Sequence, residues 1–141
     1  MVIRKYEPRD LEDVIILNRV CYLYPCPDEE LRGKIDSGNC WVLQDDCVVG
    51  AIIVCPELDK TLIWSLMVAP AYSNQGWGNK FLATVEEFYA GQTIWLHSEQ
   101  SGPANHLYTK RGYRASQILK GYYGVRDGVE MYKVLALTHD A

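Results

Sequence analysis

Two glycines, Gly76 and Gly78, bracket Trp77 in the run VAPAYSNQGWGNKF, residues 68–81. An apolar, strand-like segment precedes them and an amphipathic, helix-like one follows. A helix that starts at such a junction leaves its first N–H groups unpaired and partially positive, which suits an anion. Glycine admits close approach to the backbone and tolerates unusual φ/ψ. A pyrophosphate meets these demands, with Lys80 placed to add a charge; an ordinary tight turn before a helix would use the same residues. A second cluster, ANHLYTKRGY at 104–113, sets Tyr108 and Lys110 on a short helical stretch closed by Gly112. Between the two lies IWLHS, residues 94–98, with His97 in a strand pattern and Glu99 two positions on, hence on the same face if the strand continues. An imidazole, with a reference pKa near ~6.5, is largely unprotonated at neutral pH and can take up a proton.

The rest of the chain narrows the setting. Its 141 residues are 48 % hydrophobic and 23 % charged, the mixture of one globular domain spanning 1–141. Five cysteines (Cys21, Cys26, Cys40, Cys47, Cys55) form no C-x-x-C pair and read as reduced, buried thiols. The three histidines are scattered, so no metal site follows from spacing. The net charge of −4 argues against a broad nucleic-acid surface and mildly favours a cationic partner such as an amine. The start, MVIRKYEPRDLEDV, lacks the apolar core of a signal peptide. No apolar run approaches the roughly 18 residues that cross a bilayer. A cytoplasmic protein without nucleic-acid or membrane partners is expected, as a monomer or weak homodimer.

The elements that must position these residues can be read in order. Val2–Tyr6 suits a first strand, and the apolar spacing through Leu11, Val14, Ile15, Leu17 and Val20 predicts a helix over 8–23. A short helix-compatible segment ends at Gly38. Strands at 40–44 and 47–54 form a hairpin about Asp45-Asp46, and 61–68 is a further strand. Phe81, Leu82, Val85, Phe88 and Tyr89 mark the buried face of a helix over 78–89, ended by Gly91. A strand at 93–97, a helix at 103–111 and strands at 113–122 and 129–135 complete a mixed α/β order. No repeat or linker divides it.

That order, together with V-A-P-A-Y-S-N-Q-G-W-G after the fourth strand, resembles the GNAT superfamily of acyl-CoA N-acyltransferases. Its motif Q/R-x-x-G-x-G/A follows a strand ending V-x-P. Val68, Pro70, Gly76 and Gly78 match, while Ser73 stands where Gln or Arg is usual; the main-chain amides are kept. ANHLYTKRGY is similar to the family's A-x-x-L-Y-x-K-x-G-F/Y, with Ala104, Leu107, Tyr108, Lys110, Gly112 and Tyr113 in place. Softer likenesses, in LYPCPDEEL (Cys26 where Trp is common), IWSLMVAPAYSNQGWG and ILKGYYGVRDGVEMYK, point to the bacterial ribosomal-protein N-terminal alanine acetyltransferases.

The resemblance implies a mixed α/β fold: a mostly antiparallel sheet of about seven strands with a splayed fourth/fifth-strand wedge, and about four helices. Acetyl-CoA would lie in the wedge as co-substrate. Its pantetheine would pair with Leu66, Met67 and Val68, with an N–H near Met67 or Val68 steadying the oxyanion. The phosphates would sit on Ser73, Asn74, Gln75, Gly76, Trp77, Gly78, Asn79 and Lys80, with Lys110 nearby. The family's pantetheine Asn is not where expected, since Ser101 or Gly102 falls there; Asn105, one turn into the helix, is the substitute. Tyr108 takes the role of acid toward the leaving thiolate, a phenol near pKa ~10 facing a thiol of about 8.5–10.

For the base, matching Ile94-Trp95-Leu96 to the relatives' strand pattern L-W-L-E-V places His97 at their Glu; counting back from Tyr108 gives Leu96 instead. Strand register fixes the face of each side chain whereas loops absorb deletions, which favours His97, with Glu99 the competing base. About one α-amine in ten is neutral at pH 7, against about one lysine in two thousand, so an α-amine needs less help. Tyr22, Tyr24, Tyr122 and Tyr123 are expected to line the acceptor slot. The acceptor is then a protein or peptide N-terminus, or alternatively a small amine; a non-catalytic acyl-CoA-binding module is the reading from another class.

Overall fold

Alternation in the strand runs and the 3.6-residue spacing in the helical ones give a single seven-stranded sheet flanked by helices. The computed structural model describes residues 1–137 of the chain. The elements are β1 (Val2–Lys5), α1 (Leu11–Cys21), α2 (Asp28–Ser37), β2 (Asn39–Gln44), β3 (Val48–Pro56) and β4 (Lys60–Val68). There follow α3 (Trp77–Phe88), β5 (Thr93–Glu99), α4 (Pro103–Lys110), β6 (Arg114–Tyr123) and β7 (Arg126–Val134). Spatial order is β1-β2-β3-β4-β5-β7-β6, and every neighbouring pair is antiparallel except β4 with β5. This is the mixed, mostly antiparallel sheet expected from the sequence. Among the described residues no helix is long and apolar enough to cross a membrane.

Two cores cover the two faces. Phe81, Leu82 and Val85 of α3 and Tyr108 of α4 pack on Leu43, Ile52, Ile63, Ile94, Leu96 and Met131. Val14 and Leu17 of α1 with Leu31 and Ile35 of α2 pack on Val42, Ala51, Ile53 and Met67 of the other face. Among the described residues the second layer packs mainly on β2, β3 and β4, and Trp95, His97 and Glu130 lie on the same face of the sheet beyond it, on β5 and β7.

Several boundaries differ from the sequence expectation, each for a local reason. The first helix does not run from Pro8: Pro8–Asp10 is a 3₁₀ turn, because the Asp10 carboxylate accepts the Glu7 N–H at 2.8 Å and the Arg4 guanidinium at 2.9 Å from two nitrogens. The helix ends at Cys21, and extended Tyr22 (φ −119°, ψ 135°) carries the chain towards β4. The strand at 93 runs on to Glu99, and the last strand begins at Arg126, lengthened by its pairing with β6. The thiols are not uniformly buried: Cys40 is buried, which raises its pKa to about 12, whereas Cys47 is exposed in the β2–β3 turn.

Candidate active site

A change of register creates the cleft. From Lys60↔Thr93 to Ile63↔Leu96, β4 and β5 pair in parallel, and there the ladder stops. On the other side of β4, Ile63 lies opposite Val54 and Ser65 opposite Ile53, leaving Trp64 as an extra residue. Such a bulge bends a strand and increases its twist. Beyond it β4 keeps its bonds to β3 while β5 keeps its bonds to β7, so Ser65–Val68 and His97–Glu99 part as the two walls of a wedge. The Ala69 N–H donates to Val49 O at 2.8 Å. By alternation the Met67 N–H also faces β3, and the Leu66 and Val68 N–H groups face the wedge. Of the two amides expected to steady an oxyanion, Val68 has the required direction and Met67 does not.

The glycine loop lies at one end of this edge. Asn74 (φ +59°) and Gly76 (φ +87°) take left-handed conformations that end the preceding turn and start α3. No side chain caps the helix, and its first internal bond runs from Lys80 N–H to Gly76 O, so the amides of Trp77, Gly78 and Asn79 stay unspent. The two glycines have different reasons. Gly76 is required by its dihedral, whereas Gly78 is required by packing: a Cβ there would come within 3.0 Å of Leu107 Cδ2 and 4.0 Å of Leu66 Cδ2. The Ser73 hydroxyl turns back to Pro70 O at 2.8 Å, and Lys80 Nζ sits 4.3 Å above the Trp77 ring. Asn74 and Gln75 are exposed beside the open amides.

Tyr108 enters the wedge from α4. It is only 7 % exposed, and burial pushes its phenol well above the ordinary range, helped by the neighbouring phenols of Tyr22 and Tyr123. Its hydroxyl has no hydrogen-bond partner among the described residues. Tyr22 approaches from the other side of the sheet. Its ring is 39 % exposed, but its hydroxyl is bonded to Ser65 Oγ at 2.7 Å and to the Leu66 backbone. Tyr123 is raised to about 12, mainly by burial, and stacks edge-on against Tyr122 with centroids 5.0 Å apart. Tyr24 is 87 % exposed and is not brought to the cleft.

His97 stands on the β5 wall, on the open face of the sheet; Leu96, the alternative count, is buried among the α3 and α4 side chains. Its Nδ1 lies 3.0 Å from the Tyr122 hydroxyl and its Nε2 lies 3.4 Å from Glu130 Oε2. Glu99 shares that face but its carboxylate is 3.3 Å from Arg126, so the competing base is already ion-paired.

The family model for the acetyltransferase (GNAT) domain matches residues 36–115, more than half of the chain. The chain belongs to the GNAT acetyltransferase family. Enzymes of this family draw their acetyl group from acetyl-CoA, and the GNAT chain described here is an acyl-CoA-dependent acetyltransferase. It is 25 % identical over 128 residues to the ribosomal protein bS18-alanine N-acetyltransferase of Haemophilus influenzae, covering 86 % of this chain and 87 % of that one. Its fold superposes on the crystal structure of the ribosomal-protein-S18-alanine N-acetyltransferase from Escherichia coli with a TM-score of 0.88 at 20 % identity, over 99 % of this chain and 96 % of that one. It also matches Arabidopsis thaliana Naa50, in complex with the bisubstrate analogue CoA-Ac-MVNAL, with a TM-score of 0.83 at 22 % identity over 95 % and 98 % of the two chains.

Several polar groups of this GNAT chain escaped the sequence reading. Arg111 holds Glu86 through two nitrogens (2.9 and 3.0 Å) and Asn79 Oδ1 at 2.8 Å, and Lys133 joins the same carboxylate at 3.0 Å. Tyr113, pushed upward by burial beside Glu86, donates to it as well. With Leu107 and Lys110, residues Asn79, Arg111 and Lys133 line a groove of about 630 Å³ beside the start of α3. Asn105 faces its own helix, accepting the Thr109 hydroxyl at 3.2 Å. Glu130 was missed because only cross-strand register puts it beside His97, and Ser65 because only the packing of the segment after α1 on β4 brings it to Tyr22.

Proposed function

We propose that this GNAT enzyme transfers the acetyl group of acetyl-CoA to the N-terminal α-amine of a protein or peptide. The observation that carries the reading is the wedge itself: a free phenol, Tyr108, stands within it, a histidine, His97, stands on its β5 wall, and aromatic side chains from two loops ring its mouth. Tyr22 from the α1–α2 connection and Tyr122 and Tyr123 from the β6–β7 hairpin form a slot suited to an extended chain end. The names of the relatives and the peptide-bearing analogue held by a structural neighbour support the same class of acceptor.

The chemistry is direct transfer. Acetyl-CoA lies along the unpaired edge of β4, with Leu66 and Val68 N–H groups directed at it and the pyrophosphate on the free amides of Trp77, Gly78 and Asn79. The groove of Lys110, Arg111 and Lys133 receives the remaining negative charge. Fixed amide dipoles in a cleft poor in water stabilise the tetrahedral oxyanion far better than solvent would. A neutral amine attacks the thioester carbon to give a tetrahedral adduct, collapse of the adduct breaks the C–S bond, and His97 takes up the proton equivalent lost from nitrogen. Tyr108 gives its proton to sulfur. Burial raises the pKa of this phenol, but the same desolvation acts on the thiolate, so donor and acceptor remain matched. Solvent then returns a proton to Tyr108 and removes one from His97.

Mass spectrometry after incubation with acetyl-CoA and a mixed panel tests the reading. The panel holds free-N-terminus peptides, the same peptides blocked at the N-terminus but containing lysine, and simple polyamines. Acetylation confined to the free-N-terminus peptides is expected. Exclusive modification of polyamines or lysine would replace the acceptor assignment, and acetyl-CoA binding without transfer to any member would overturn it.

A further inference from the structure

The groups that face His97 come from each neighbouring strand. Trp95 stacks edge-on at 5.3 Å from the same strand, and the Tyr122 ring does so at 5.0 Å from β6. Glu130 is its direct cross-strand partner on β7. Glu99, two residues along β5, is engaged with Arg126. His97 therefore has one phenol and one carboxylate available to its two nitrogens, and each nitrogen has taken one of them.

Glu130 is not a casual surface acid. The Ser116 hydroxyl donates to its Oε1 at 2.9 Å, and the Gln117 amide lies 3.4 Å from its Oε2. These bonds, with that to His97, hold it below the ordinary carboxylate range. An ionised carboxylate only accepts hydrogen bonds. The nitrogen that faces it must carry the hydrogen, so Nε2 is the N–H and Nδ1 is left with the lone pair. The Tyr122 hydroxyl, 3.0 Å away, then donates to Nδ1.

We propose that Glu130 is the positioning residue of the base: it fixes His97 as the Nε2–H tautomer, presents Nδ1 to the wedge mouth through Tyr122, and neutralises the imidazolium that forms. This rests on the reading of His97 as the base. In the transfer, the acceptor nitrogen gives a proton to the Tyr122 oxygen as the Tyr122 proton passes to Nδ1. One proton enters the chain, the imidazolium forms beside an existing negative charge, and no second charge is left unpaired. The 3.4 Å separation is long for a charge-assisted bond, and such contacts tighten once the charge develops.

The test uses the full chain labelled with ¹⁵N. Two-bond ¹⁵N–¹H spectra, with His97→Gln to assign the ring, report the tautomer directly. The wild type should show Nε2–H, and Glu130→Gln, whose amide can either donate or accept, should show a mixture. Glu130→Gln should also lower kcat about tenfold, the low end for a partner that orients a functional histidine. The acidic limb of its kcat/KM profile should move to lower pH, with KM for acetyl-CoA unchanged. Ser116→Ala keeps the charge but removes one anchor; it should give a smaller change in the same direction, and serves if Glu130→Gln does not fold. A wild-type Nδ1–H tautomer, or a tautomer and kcat that both ignore Glu130→Gln, overturns the proposal. Full activity of His97→Gln would instead overturn the assignment of the base, and the spectra would still decide whether Glu130 sets the ring.

Discussion

Replacing Tyr108 by Phe separates chemistry from packing, because the two depend on different parts of the side chain. The ring fills the core beside Tyr113, with centroids 5.7 Å apart, and Phe keeps that contact. The hydroxyl makes no hydrogen bond among the described residues, so its removal strands no partner. The hydroxyl oxygen is not among the buried unpartnered atoms, so deleting it should leave Tm nearly unchanged. In the proposed reaction, the same deletion removes the group assigned to protonate the leaving thiolate. Loss of a positioned general acid lowers kcat by about 10²–10⁴. Rapid-quench single-turnover measurements with saturating acetyl-CoA and a free-N-terminus peptide read this step without interference from product release. Calorimetric titration with acetyl-CoA should show little change in affinity. A single-turnover rate within about threefold of wild type would refute the acid role, since no such effect is small enough to hide there. A drop in Tm of several degrees would show that the hydroxyl has a structural partner after all.

Other perturbations probe the supports of the site. Gly76→Ala forces a Cβ into φ +87°, at a cost of about 1–2 kcal/mol; KM for acetyl-CoA should rise with little change in the circular dichroism spectrum. Gly38→Ala puts a Cβ 2.1 Å from Val54 O and 2.9 Å from Lys34 O, both backbone atoms, so urea denaturation should show a loss of several kcal/mol or failure to fold. Asp10 is held below the ordinary carboxylate range first by its bond to Arg4, so the stability it contributes is full above about pH 4 and is lost as pH falls through its depressed native value. Asp10→Asn should cost about 2 kcal/mol at neutral pH, discounted from the upper values because Arg4 is 22 % exposed, and should flatten the acid limb of the urea midpoint.

The order of elements was legible because hydrophobic spacing is a local property, and α3 with Phe81, Leu82 and Val85 buried is the clearest case. The glycine loop was legible for the same reason, although one of its glycines serves a neighbouring Leu107 and not the backbone angle. Tyr108 and His97 could be singled out from motif and strand pattern. What surrounds them could not. Glu130 is 33 residues from His97, with α4 and β6 between, and no local signal tells which β7 residue will lie opposite. Arg111 and Lys133 meet at Glu86 for a comparable reason. Helix ends were misplaced where a side chain competed for backbone groups, as Asp10 does at Glu7.

The extra residue at Trp64 behaves like a dislocation in a crystal: the order is sound on either side, and the mismatch is confined to one line between them. Such a defect cannot be healed by exchanging side chains, because it is a count of residues and not a choice of them. Deleting position 64 would bring the two ladders back into step and let β4 and β5 close upon each other. Substitutions around the cleft, such as Ser73 in the glycine loop, leave that count untouched. The opening is therefore set by the number of residues along β4 and not by which side chains line it.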